Sequence, residues 1–95
     1  MIVHMVSFKY KKEVDAQARR QHRERLGGLR DIDGIVDLKV GGDVVGSPRS
    51  YDTGLVITFR DRAALDAYQI HPRHVPVAQA GSLDCDSIVA VDFEI

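Results

Sequence analysis

Four short segments of the chain are rich in β-branched and aromatic residues and have the composition of β-strands. They are residues 2–9, 35–40, 51–59 and 87–94. The third alternates most regularly, with Tyr51, Leu55 and Phe59 on one side and polar Asp52 and Thr58 on the other. Period-two alternation of this kind is typical of a strand with one buried face.

Between the strands, the spacing of apolar side chains changes to that of helices. From Glu13 to about Asp31 the inward positions recur every three or four residues, at Val14, Ala18, His22, Leu26 and Leu29. Asp61 is placed to cap a second helix, which must end near Ile70 because Pro72 disfavours helical geometry at His71. A short helix from Arg73 toward Ala80 and a loop over residues 81–86 complete the prediction.

The resulting order is β-α-β-β-α-β, which predicts an α+β, ferredoxin-like fold with a four-stranded antiparallel sheet covered on one face by helices. With 95 residues, the chain forms one domain, residues 1–95, because separate cores arise only in much longer chains.

Both faces of the predicted sheet carry apolar residues. In the first strand Ile2, Val6 and Phe8 lie on one side and Val3 and Met5 on the other. A chain of this size buries only about 60% of the surface that its unfolded form exposes. We therefore expect a homodimer in which two sheets pair face to face as a dimeric α/β barrel. The alternative explanation of two apolar faces is that the strands are short and buried, and that apolar and polar residues alternate only loosely along them.

The composition of the chain argues against several classes of function. Lys plus Arg number 13 and Asp plus Glu 14, so the basic excess of a nucleic-acid-binding protein or polybasic membrane anchor is missing. No apolar run approaches the length of a membrane span, and we expect an intracellular, cytoplasmic protein. The single cysteine, Cys85, cannot form an internal disulfide and is too few for a structural zinc site.

The string Tyr68-Gln69-Ile70-His71-Pro72-Arg73-His74 is the most distinctive in the chain. Pro72 makes a sharp exit from the helix, so that Tyr68 and His74 can face the same space. Histidine and a tyrosine hydroxyl form a usable acid–base pair. The alternative is structural: His71 caps the helix, His74 is a hydrogen-bonded, half-buried residue and Tyr68 belongs to the core.

Two further histidines lie on apolar faces, His4 on the first strand and His22 on the first helix. Each could be a satisfied core residue, but together they indicate a pocket with a partly polar lining. A zinc or iron site is disfavoured, because Pro72 separates His71 from His74 and no carboxylate stands at a recognised ligand spacing. We expect no cofactor, although weak magnesium binding stays open.

These segments resemble the stress-responsive dimeric α/β-barrel (Dabb) family over the whole chain. The resemblance rests on the opening strand, on Arg49-Ser50-Tyr51-Asp52 and above all on Tyr-x-x-His-Pro-x-His. By similarity to a plant polyketide cyclase of this family, His74 is implied as the base and Tyr68 as its assistant at the substrate oxygen. The implied substrate pocket contains His4, and we add His22, Thr53 and His71; Thr53 replaces a histidine of the cyclase.

Three functions follow as hypotheses. The first is cofactor-free acid–base catalysis on a small carbonyl compound, of cyclase, isomerase or lyase type. The second is a non-catalytic, stress-responsive dimer that is structural or binds a ligand. The third is a ferredoxin-like monooxygenase, which would need further polar groups in the pocket.

Overall fold

The computed structural model describes residues 1–95, and it has four strands and three helices. In chain order these are β1 (Ile2–Tyr10), α1 (Ala16–Gly27), β2 (Ile35–Gly42), β3 (Thr53–Phe59), α2 (Arg62–Gln69), α3 (His74–Asp84) and β4 (Cys85–Glu94). The predicted ferredoxin-like fold is confirmed. No helix is long and apolar enough to span a membrane.

The strands form one sheet in the order β2-β3-β1-β4, and every neighbouring pair is antiparallel. The central strand β1 pairs with both β3 and β4, so that His4 lies opposite Ile57 on one side and Asp92 on the other. Residues directly opposite each other project to the same face of a sheet. The inner face therefore carries His4, Val6 and Phe8 of β1 together with Asp92, Ala90 and Ile88 of β4.

All three helices lie on this inner face. The core is formed by even-numbered residues of β1, by Leu55, Ile57 and Phe59 of β3, and by the inward residues of the first two helices, among them Leu26 and Leu65. Asp15 and Asp61 cap α1 and α2, each accepting a backbone N–H at 2.8 Å. The predicted cap of α2 is confirmed.

The prediction of a loop over residues 81–86 is wrong. Helix α3 continues to Asp84, and β4 begins at the next residue. Gly81 weakens a helix by about 1 kcal/mol relative to alanine, but it is buried here against His22. Pro76 is tolerated because it lies in the first turn of α3, where a backbone N–H has no partner within the helix.

The outer face of the sheet has no covering layer. Its exposed large apolar residues include Met5, Val89, Val91 and Phe93, and the registers place Val3, Met5 and Val56 beside one another on it. The expectation that both faces of the sheet are apolar is thereby met in this structure.

Candidate active site

A cavity of about 290 Å³ lies between the inner face of the sheet and the helices. Its walls come from β1, β3 and β4 and from all three helices. Most of the lining is apolar, and the polar side chains in it are His4, His22, Tyr68, Gln69, His74, Ser82 and Asp92. A largely apolar cavity with a few convergent polar groups is the usual form of a small-molecule site.

Tyr68 and His74 lie together at this cavity. Tyr68 ends the inward face of α2, Pro72 terminates that segment, and His74 opens α3, so the two rings stack with centroids 4.0 Å apart. The Tyr68 hydroxyl and His74 Nδ1 are buried, and neither has a hydrogen-bond partner in the protein. Leaving a buried polar atom unpaired costs roughly 1–3 kcal/mol, so these two atoms are uncompensated polar groups beside the cavity.

Burial also fixes the charge state of this pair. Desolvation raises the pKa of Tyr68 to about 12, and the hydroxyl therefore keeps its proton as a donor. Desolvation lowers the pKa of His74 and outweighs the backbone groups of Gln69 and Tyr68, which act in the opposite direction. A neutral imidazole can accept a proton, and a protonated phenol can donate a hydrogen bond.

His4 is held differently. Its Nδ1 contacts the carboxylate Oδ1 of Asp92, the residue directly opposite it on β4. The His4 ring also lies 6.1 Å from that of Tyr68, edge to face. A carboxylate at Nδ1 orients an imidazole and favours the tautomer whose Nε2 carries the lone pair.

His22 approaches the cavity from α1 and belongs to a hydrogen-bonded chain. Its Nδ1 lies 2.6 Å from the Tyr10 hydroxyl, which donates to Thr53 Oγ1 at 3.0 Å. Arg23 Nη1 donates to the same threonine oxygen at 3.3 Å. Burial lowers the pKa of His22, so this ring too is neutral near pH 7.

The structure therefore brings four of the six predicted residues together in the cavity lining: His74, Tyr68, His4 and His22. Thr53 is buried behind Tyr10 and borders a separate depression at the Gly41–Gly42 end of β2. His71 also lies outside the lining, because its Nδ1 accepts a hydrogen bond from the Arg73 backbone and closes the turn between α2 and α3. Arg73 pairs with Asp31 at 2.9 Å.

Sequence reasoning missed Asp92 and Tyr10. The signal for Asp92 was its alternation with Ile88 and Ala90 on β4, which places it on the inner face beside the central strand. Tyr10 likewise continues the inward alternation of β1. No group of three or more His, Cys, Asp or Glu side chains is arranged to hold a metal ion.

The family model described as "Stress responsive A/B Barrel Domain" (Dabb) matches residues 2–95. The chain belongs to the Dabb family. A search of curated proteins finds no match.

Solved structures similar to this Dabb chain share its fold. A dimeric ferredoxin-like protein of unknown function from Thermobifida fusca is 24% identical, with a TM-score of 0.90 over 99% of this chain and 90% of that one. A dimeric ferredoxin-like protein from Jannaschia, also of unknown function, is 29% identical, with a TM-score of 0.83 over 99% and 98%. A hydroxynitrile lyase from Passiflora edulis is 22% identical, with a TM-score of 0.87 over 99% and 92%.

Proposed function

We propose that the cavity binds a small organic carbonyl compound and catalyses proton transfer beside the carbonyl group without a cofactor. The observation that carries this proposal is the pair of unpartnered polar atoms, the Tyr68 hydroxyl and His74 Nδ1, buried side by side at the cavity. One is a donor and the other, in the neutral imidazole, an acceptor. A carbonyl compound with an acidic C–H bond complements both.

In the proposed step, His74 Nδ1 takes a proton from the carbon next to the carbonyl. The electron pair of the broken C–H bond forms a carbon–carbon double bond, and the carbonyl π electrons move to oxygen. The Tyr68 O–H donates a hydrogen bond to that enolate oxygen, which stabilises the developing charge. Where a further double bond is conjugated with the enolate, return of the proton from His74 to a different carbon gives isomerisation. Attack of the enolate carbon on a second carbonyl carbon gives cyclisation, and the alkoxide that forms there takes the proton from His74.

His4 is proposed as the second imidazole of the site, positioned by Asp92. It approaches Tyr68 from the sheet side, opposite α3. Lyase chemistry is compatible with the same groups. A base takes the hydroxyl proton of a carbonyl adduct as the carbonyl re-forms and the bond to the leaving group breaks, and the protonated base then gives that proton to the leaving group. The hydroxynitrile lyase of the same fold supports only the point that this architecture accommodates an enzyme.

We also propose that the protein is a homodimer joined through the outer face of the sheet. That face exposes a row of apolar side chains on β1 and β4, and similar structures from two bacteria are described as dimeric. The pairing buries the apolar face and supplies the additional core that a 95-residue chain needs.

The catalytic proposal is tested without knowledge of the natural substrate. Benzylacetone is incubated with the protein in deuterium oxide, and loss of the proton signals beside the carbonyl is followed by NMR. We expect exchange faster than in buffer, reduced about 10²-fold or more in His74→Ala and clearly slowed in Tyr68→Phe. Gln79→Ala, on the exposed side of α3, is the matched control and should keep the wild-type rate.

Equal exchange by wild type and by a folded His74→Ala variant would contradict the mechanism. If neither the wild type nor any variant exchanges protons faster than buffer, although all are folded, the non-catalytic dimer is the better description. In that case His74 only shapes the turn between α2 and α3, and its replacement lowers the melting temperature alone.

A further inference from the structure

His22 contributes a second polar end to the cavity, separate from the Tyr68 end. Its ring packs edge to face against Phe8, with centroids 4.9 Å apart, whereas Tyr68 packs near His4. Phe8 and His4 are four residues apart on β1, which corresponds to about 13 Å along an extended strand. The lining between these two ends is apolar and includes Val6, Leu26 and Ala90.

The hydrogen-bond chain behind His22 decides which of its nitrogens carries the proton. The Tyr10 hydroxyl has one hydrogen and donates it to Thr53 Oγ1. Burial raises the pKa of Tyr10, so the phenol is not ionised, and its oxygen must accept from His22 Nδ1–H at 2.6 Å. A neutral imidazole has a single N–H. His22 Nε2 is then an acceptor with no protein partner.

Gly81 keeps this nitrogen uncovered. A Cβ atom at position 81 would lie 3.0 Å from His22 Nε2. Any residue other than glycine at this position would therefore place its Cβ against that nitrogen. Glycine inside a helix costs about 1 kcal/mol relative to alanine. Gly81 lowers the stability of α3, but it leaves space beside the His22 ring, and this explains why glycine occupies the position.

We infer that His22 Nε2 is the acceptor of a distal subsite that binds a hydroxyl group of the ligand, so that the ligand carries a carbonyl at one end, an apolar middle and a hydroxyl at the other. This rests on the proposed function, because the carbonyl end is the one assigned to Tyr68. A phenol or an alcohol meets the requirement, since each donates one hydrogen bond to an sp² nitrogen.

Two ketones that differ by one hydroxyl test the subsite. Benzylacetone and para-hydroxybenzylacetone are titrated into wild type, His22→Phe, Gly81→Ala and Tyr68→Phe, and dissociation constants are measured by NMR or calorimetry. We expect wild type to bind the hydroxylated ketone about tenfold more tightly, the value of one good hydrogen bond. His22→Phe keeps a ring in place but removes the acceptor, and should bind the two ketones equally.

Gly81→Ala covers Nε2 without removing the His22 side chain, so it should also lose the preference even if His22→Phe folds poorly. Tyr68→Phe should weaken both ketones and retain the preference. The distal subsite would be overturned if wild type bound both ketones equally. If Tyr68→Phe still weakened the binding of each ketone, the proposed function would stand. Failure of wild type to bind either ketone would contradict the proposed function and this inference together.

Discussion

The three histidines of the cavity differ in what holds each ring. His4 has a carboxylate at Nδ1, His22 has a phenol, and His74 has no partner at Nδ1. Burial lowers the pKa of both His22 and His74. These differences in surroundings, rather than residue type, separate the proposed roles of positioned imidazole, ligand acceptor and base.

Buried neutral histidines make stability depend on pH. Because the pKa values of His22 and His74 are lower in the folded chain than the usual 6.5, the unfolded chain binds more protons as the pH falls below about 6.5. We expect the free energy of unfolding to decrease from pH 7 to about pH 5, measured by urea denaturation.

Replacing both histidines by phenylalanine should flatten this dependence, whereas Gln79→Ala should retain it. An unchanged pH slope in the double variant would show that other groups cause it. Carboxylates contribute little to this difference in pH slope, because they titrate mainly at lower pH.

Asp92 is expected to act through His4. Asp92→Asn should slow the exchange of benzylacetone at least tenfold, because an amide does not favour the Nδ1–H tautomer as a carboxylate does. Nitrogen-15 NMR of His4 should show the tautomers mixing, which a merely structural effect would not produce. Glu94→Gln removes a charge two residues further along β4 and, since Glu94 lies outside the cavity lining, should change neither measurement.

At the scale of elements, two junctions place the site. The turn between α2 and α3 holds the Tyr68 and His74 rings 4.0 Å apart, and the β1–β4 register places Asp92 opposite His4. Neither junction involves a long loop. The polar groups are therefore carried by regular backbone, which favours a fixed geometry.

A third junction, between α1 and β2, depends on Gly34. Its φ is +93°, and a Cβ there would lie 2.6 Å from the Cβ of Ala64 in α2. We expect Gly34→Ala to lower the free energy of unfolding by roughly 2–4 kcal/mol, the sum of a left-handed backbone penalty and overpacking. Chemical denaturation measures this loss.

Gly46→Ala is the matched control, because Gly46 has a φ of +69° but nothing within 4 Å of its added Cβ. This variant should lower the free energy of unfolding only by the backbone penalty, about 1–2 kcal/mol. Equal losses in the two variants would mean that the contact with Ala64 relaxes freely.

At the scale of the whole molecule, the proposed dimer accounts for the uncovered sheet face. Val91→Lys places a charge at the centre of the apolar row on β1 and β4. We expect sedimentation to show a monomer and the melting temperature to fall, because burying an unpaired charge is costly. Val44→Lys, in a loop where Val44 is 96% exposed, should remain dimeric. A dimeric Val91→Lys protein would place the interface elsewhere.

Much of this architecture follows from the order of residues alone. Alternation in the strands, helical spacing in α1 and the Asp61 cap are local properties, and local backbone preferences suffice to predict them. Where prediction failed, the cause was non-local. The chain remains helical through Gly81 because that residue packs against His22 on α1, a contact between residues distant in sequence.

The sequence by itself determined the element order, the two apolar sheet faces and the residue types available for acid–base chemistry. The tertiary structure alone decided which of them meet. It brought His74, Tyr68, His4 and His22 into one cavity, left Thr53 and His71 outside its lining, and added Asp92. The physical reason is that strand register and helix packing depend on contacts across the whole chain, and these set the distances and burial on which reactivity depends.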